Sequence, residues 1–185
     1  MVAASKANTR LLREVAEIYN WLDSQIQKNS NLAGVCDACG KCCDFNKFDH
    51  RLFVTTPELL YLAAKVGDEN VNPPHVWRIK PMTTNRCPYQ TNGKCTVYKF
   101  RFAGCRIFCC KGDADFQSRL SEMAVKKFKS LCTEFQIPYR YLELATALAG
   151  AEDTRDGRQR THKSEYLNPK SETNSNNQNT KLKNN

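Results

Sequence analysis

Long hydrophobic runs are missing from this sequence. Nowhere do about 18 apolar residues follow one another, the length a membrane-spanning helix needs, so no membrane span is expected. The first twenty residues, Met1 to Asn20, hold no apolar core of signal-peptide length and no cleavage pattern, so no secretory leader is expected. A glycine-rich phosphate loop, a dinucleotide-binding glycine pattern, the strained serine turn of hydrolases and the paired histidines of zinc proteases are also absent. No pair of carboxylates stands out and no segment repeats. These absences argue against an enzyme of a common class.

Cysteine is the opposite case, with 10 among 185 residues. A disulfide framework and a thiolate metal site both use many cysteines, and the redox compartment separates them. Without a leader the expected compartment is the reducing cytoplasm, where clustered cysteines serve as metal ligands or catalysts more often than as cross-links. The formal charge of +9 would otherwise raise the question of nucleic acid. Thiols lose their protons on binding metal, so eight bound thiolates would bring +9 to +1 before the metal's own charge is counted. The cluster Lys126, Lys127 and Lys129 reads as a solvated helix face, and nucleic acid is not an expected partner.

Helical periods frame the cysteines. Residues 8–28 place Leu11, Val15, Ile18, Leu22 and Ile26 on one face. Residues 51–55 suggest a short strand. Thr56-Pro57-Glu58 then reads as a helix start with a hydroxyl cap, and Gly67 as that helix's stop. Residues 68–86 look irregular. Between 115 and 135, Phe116, Leu120, Ala124, Phe128, Leu131 and Phe135 form one stripe, which Pro138 ends. A last helix is expected over 139–148. From residue 151 the chain is polar and reads as a disordered tail. The expected fold is mostly α: a small helical domain, residues 1–150, packed around an irregular, cysteine-rich metal-binding loop region, with the tail over 151–185.

The cysteines fall in two blocks. Cys36, Cys39, Cys42 and Cys43 form the first; Cys87, Cys95, Cys105, Cys109 and Cys110 form the second. A Cys-x-x-Cys loop lets two thiolates converge on one ion while backbone amides donate to sulfur. Gly40 supplies the tight turn, and Asn92-Gly93 is a hairpin-turn signal in the second block. The blocks are 43 residues apart, so shared ligation would couple metal binding to folding. The candidate metal ligands are Cys36, Cys39, Cys42, Cys43, Cys87, Cys95, Cys105 and Cys109. Cys110 has no assigned role, and Cys132 reads as a small buried core residue. His50 could substitute for a thiolate, but it, His75 and His162 read as bystanders. Arg101 and Arg106, in the middle of the second block, are expected to lower thiol pKa values and hold thiolates in place.

The same residues resemble a known family. Cys36-x-x-Cys39-x-x-Cys42-Cys43, then Cys87-Pro88, then Cys95-x-x-Tyr98-x-x-Arg101 and Cys105-Arg106-x-Phe108 is similar to the CxxCxxCC, or YkgJ-like, cysteine-cluster family of zinc- or iron-chelating proteins. The resemblance covers roughly residues 30–110 and implies metal chelation without a defined reaction. One departure is Phe102, where the family carries proline.

Zinc and iron remain open at this level. Eight thiolates suit two zinc ions or one or two iron–sulfur clusters. Cys36, Cys39 and Cys42 resemble the start of a ferredoxin run, but Asn46 stands where a fourth cysteine would follow, and Cys105 could serve instead. The expected function is a cytoplasmic metal-binding protein without catalysis of its own, partnered by the metal and by a protein that supplies or receives it. The alternative is an iron–sulfur redox or activating protein, or an accessory factor for another enzyme. A nucleic-acid-binding zinc module ranks below both.

Overall fold

The computed structural model describes the backbone of residues 2–48, 50–66 and 80–153, with side chains from residue 8 to 149 within those segments. Two long helices form one side of the molecule. Helix α1 (Val2–Lys28) and helix α6 (Ala114–Glu134) lay Leu11, Val15, Tyr19 and Leu22 against Phe116, Leu120, Ala124, Phe128 and Leu131. The α1 stripe differs from the expected one: Tyr19 is fully packed, while Ile18 and Ile26 are only partly buried. The Tyr19 ring meets Phe128 and Tyr61 edge-on at 6.1 and 5.3 Å, a geometry aromatic quadrupoles favour.

Short elements run between them in the order α2 (Ser30–Ala33), a 3₁₀ turn (Lys41–Cys43), α3 (Phe45–Phe48), β1 (Phe53–Thr55) and α4 (Thr56–Val66). The hairpin β2 (Gln90–Thr91) and β3 (Lys94–Cys95), a 3₁₀ turn (Tyr98–Phe100) and α5 (Ala103–Ile107) follow. After α6 come β4 (Tyr141–Glu143) and α7 (Leu144–Asp153). The fold is mostly helical, as expected. The segment over 139–148 is corrected: its first part is strand, because Tyr141–Glu143 pairs antiparallel with β1, Phe53 facing Glu143. The helix that follows continues past Gly150 to Asp153. Gly67, most of the 68–86 stretch and the tail from 154 lie outside the described residues.

A second core lies on the other side of α4. Leu52 and Val54 of the β1 region, Leu62 and Ala63 of α4, and Leu144, Ala147 and Leu148 of α7 close over Tyr89 and Phe102. Helix α4 therefore serves both cores, with Tyr61 in the first and Leu62 in the second.

The caps explain the element ends. Asp113 Oδ1 accepts the Phe116 amide at 2.7 Å and starts α6. At its other end Gln136 takes a left-handed φ of 54°; the Gln136 amide donates to Thr133 and the Ile137 amide to Cys132, a Schellman stop ahead of Pro138. Helix α4 begins one residue earlier than the sequence suggests. Thr55 is the cap, and Glu58 Oε2 accepts both the Thr55 amide (2.8 Å) and its hydroxyl (2.7 Å). Glu58 Oε1 accepts the Ala103 amide at 2.7 Å. One fully buried carboxylate thus ties β1, α4 and the start of α5 together. Burial pushes its pKa up, while the Ala103 and Thr55 hydrogen bonds and the Arg106 charge pull back.

Removing this carboxylate strands two buried amides and a hydroxyl. Glu58→Ala is expected to destabilise the protein by about 2–4 kcal/mol. Urea denaturation of the two proteins checks this; equal midpoints would show that Glu58 holds nothing together.

Candidate metal centre

The first cysteine block is a loop whose turns need unusual backbone. Gly34, Ala38 and Gly40 all have positive φ, at 72°, 50° and 67°. Only glycine fits at position 40, since a Cβ there would lie 2.2 Å from the Gly93 carbonyl oxygen. Gly93 is the second turn residue of the β2–β3 hairpin. Asn92 and Gly93, at φ 50° and 75°, form the two-residue left-handed turn their sequence predicts. The tip of the second block therefore rests directly on the backbone of the first, and the Gln90 side-chain amide reaches the Gly40 carbonyl at 3.4 Å.

A short antiparallel pairing continues this contact. The Cys87 amide donates to the Cys43 carbonyl and the Phe45 amide to the Asn85 carbonyl, both at 2.9 Å, around a bridge between Asp44 and Arg86. The Arg86 guanidinium bonds Asp44 Oδ2 at 3.0 Å and holds its carboxyl below the usual range. Cys43 and Cys87, remote in sequence, are thereby placed side by side.

The thiols follow the backbone. Cys42, Cys43 and Cys87 neighbour one another closely enough for each to shift the next, with Cys95 and Cys105 near enough to add their potential. The bond to Cys43, with burial, raises the Cys42 thiol strongly; the positive charge of Arg101 opposes this. For Cys43 the bond from Cys42 lowers the pKa, but the bond to Cys87, burial and the neighbouring Cys87 and Cys95 outweigh it, leaving about 11. Burial first, then Cys43, Cys95, Cys42 and Glu58, raise Cys105, which sits in α5. Such thiols hold their protons at neutral pH until a cation replaces them. The donor set suits zinc or iron: five soft sulfurs lining one cavity. Among the described residues no three cysteine, histidine or acidic side chains are closed around a common point.

All eight predicted ligands, together with Cys110, line one cavity of about 700 Å³ between the two blocks. They divide by depth. Cys42, Cys43, Cys87, Cys95 and Cys105 form the inner group. Cys36, Cys39 and Cys110 are exposed at the outer part. The outer strands are fastened separately: Lys111 Nζ meets Asp37 Oδ2 at 2.6 Å, and the Asp113 amide donates to the Leu32 carbonyl at 2.7 Å. Cys109 is buried, its carbonyl accepting the Gln117 amide at 2.8 Å and its own N–H donating back to Gln117 at 3.3 Å. Cys132 lies in the helical core on α6, as expected.

The two arginines part company. Arg101 acts on Cys42 as expected, with its guanidinium 3.8 Å from the Tyr98 ring centroid. Arg106 does not face the thiols. It bonds the carbonyls of Lys99 and Arg101 (2.7 and 3.1 Å) and Asp23 of α1 (2.7 Å), over the Tyr19 ring. It clamps the loop before α5 onto α1, and its five fixed donors are what that task needs. Phe102, at the family's proline position, has φ −59°, a value proline would share, so the turn is kept and the ring fills the second core.

His50 is more than a bystander of the fold. Its ring stacks on Phe108 at 5.0 Å, it lines the cavity, and burial lowers its pKa, so it is neutral with Nδ1 unpartnered among the described residues. His75 and His162 lie outside the described residues. Sequence reading missed Glu58 as a tie and Gln117 as a clamp. A Thr-x-x-Glu capping pattern signalled the first; nothing local signals the second.

The contact between Gly40 and Gly93 gives a direct test. Gly40→Ala is expected to cost at least about 2 kcal/mol, from left-handed backbone strain plus the clash, and to reduce bound metal. Denaturation and metal content read together check it; wild-type values for both would mean the blocks do not depend on this approach.

No curated protein and no solved structure matches this chain. A family profile does, that of CxxCxxCC, described as "Putative zinc- or iron-chelating domain", over residues 35–133. That span is more than half of the 185 residues, includes every cysteine, and runs on from the resemblance through most of α6. The chain belongs to the CxxCxxCC family of zinc- or iron-chelating domains.

Proposed function

We propose that this chain holds zinc or iron through Cys42, Cys43, Cys87, Cys95 and Cys105, with the exposed Cys36 and Cys39 and the buried Cys109 completing ligation from elsewhere on the cavity lining. The observation that supports this is the Cys43–Cys87 backbone pairing, which brings thiols of both blocks to one cavity. The role is chelation without catalysis of its own: a structural site, a carrier or an accessory factor, with a protein partner that supplies or receives the metal. All ten cysteines are free, which suits a reducing compartment, and the cytoplasm is the proposed location. Among the described residues no helix is long and apolar enough to cross a membrane.

A second reading, an iron–sulfur redox or activating protein, draws on the same inner group. Five thiols exceed the four that a single tetrahedral zinc takes, and a polynuclear centre uses the excess. The bound group would supply electron transfer in that case and a closed structural or transferable ion in the other.

Metal and acid-labile sulfide analysis of anaerobically purified protein, with a visible spectrum, separates the readings. Iron with sulfide and broad absorption supports the second; stoichiometric zinc in a colourless protein supports the first; no metal after reconstitution overturns both. Cys43→Ser is expected to lose most of the bound metal and Cys132→Ser to retain it. Equal loss in the two variants would remove Cys43 from the site.

A further inference from the structure

The cavity between the cysteine blocks is far larger than a metal requires. An ion at the ~2.3 Å zinc–sulfur distance occupies a sphere of roughly 50 Å³. Even two such centres leave most of the roughly 700 Å³ unclaimed. That volume lies in the range of sites for small organic molecules.

Its lining is amphiphilic in a directed way. Among the described residues the exposed large apolar side chains are Val35, Phe53, Tyr98, Met123 and Tyr141, and all but Met123 border this cavity. Phe53 of β1 and Tyr141 of β4, diagonal to each other in the strand register, hold their rings 5.4 Å apart. Single exposed apolar residues need no explanation, but four around one opening mark a binding surface. Deeper in, Phe108 stacks on His50.

The polar points are few and unpartnered. Three buried side-chain polar atoms lack a hydrogen-bond partner among the described residues, and two of them, Arg101 Nε and His50 Nδ1, belong to residues of this lining. Arg101 has no acidic partner there, unlike Arg106 with Asp23, Arg51 with Glu143 and Lys111 with Asp37. The Tyr98 ring covers one face of its guanidinium, and its Nε donor has no partner among the described residues. A partly desolvated cation with free donors calls for an anion, and the apolar rim calls for a hydrocarbon or aromatic body.

We propose that this cavity binds a small organic anion beside the thiol cluster: a carboxylate or phosphate head on Arg101, with an alkyl or aromatic body against Phe53, Tyr141 and Phe108. This goes beyond metal chelation and rests on the cavity and on Arg101, whichever metal is held.

Isothermal titration of the full, metal-loaded chain tests it, with octanoate, octyl phosphate, octanol and inorganic phosphate as probes. At least one of the two anionic amphiphiles is expected to bind saturably, one per chain, and the tighter head identifies carboxylate or phosphate as the natural group. Octanol is expected to bind at least about tenfold more weakly, the loss of one charge-assisted hydrogen bond, and inorganic phosphate not to saturate. Arg101→Met, compared at equal metal loading, brings the anions down to the octanol level, whereas Phe53→Ser weakens anion and alcohol alike. Octanol binding as tightly as the anions, no binding by either anion, or unchanged affinity in Arg101→Met would each overturn the proposal. If Arg101→Met loses its metal, the anion-to-alcohol ratio and Phe53→Ser decide; a Phe53→Ser affinity equal to wild type then overturns it.

Discussion

The structure depends on a pairing of two residues' length between distant parts of the chain. The Cys43 carbonyl receives the Cys87 amide and the Asn85 carbonyl receives the Phe45 amide. Each bond alone contributes about 1 kcal/mol, too little to close a loop with 43 residues between its ends. What holds the pairing is its surroundings: the glycine-to-glycine approach of Gly40 and Gly93, the Asp44–Arg86 ion pair, and the two cores on either side. A metal shared between the blocks would close the same loop again, from the sulfur side.

The cores do more than stabilise. Helix α1 supplies Asp23 and the Tyr19 ring, which fix Arg106, and Arg106 in turn fixes the carbonyls of Lys99 and Arg101. Helix α4 supplies Glu58, which fixes the first amide of α5 two residues ahead of Cys105. The segment around Cys105 is therefore held by Arg106 and Glu58, side chains that bond backbone groups on either side of it. This alters the meaning of the +9 charge. Of the basic residues interleaved with the second block, Arg86, Arg106 and Lys111 have acidic partners, and Arg101 alone among these four faces the cysteines without one.

Helix existence was legible because packing here follows the 3.6-residue period: the α6 stripe is buried as read, from Phe116 through Leu131. The α1 stripe was off by one residue at Tyr19, since Ile18 and Tyr19 both fit an apolar face and only the neighbours Tyr61 and Phe128 decide between them. Strand β4 was illegible for a stronger reason. Three residues have no period of their own, and Tyr141–Glu143 is extended only because β1 lies beside it. The glycines at 40 and 93 were readable as turn residues, but not as neighbours.

The sequence by itself determined the chemistry on offer: ten cysteines, nine of them in two blocks, the turn at Asn92-Gly93, and helices whose apolar faces demand cover. Those are properties of residue type and spacing, which local physics can read. Tertiary structure alone decided which thiols of the two blocks become neighbours, that Arg106 is bonded to the scaffold while Arg101 Nε has no partner among the described residues, and that a cavity opens between the blocks. Each of these depends on distances between residues tens of positions apart, and such distances are set by the packing of the whole chain rather than by any segment of it.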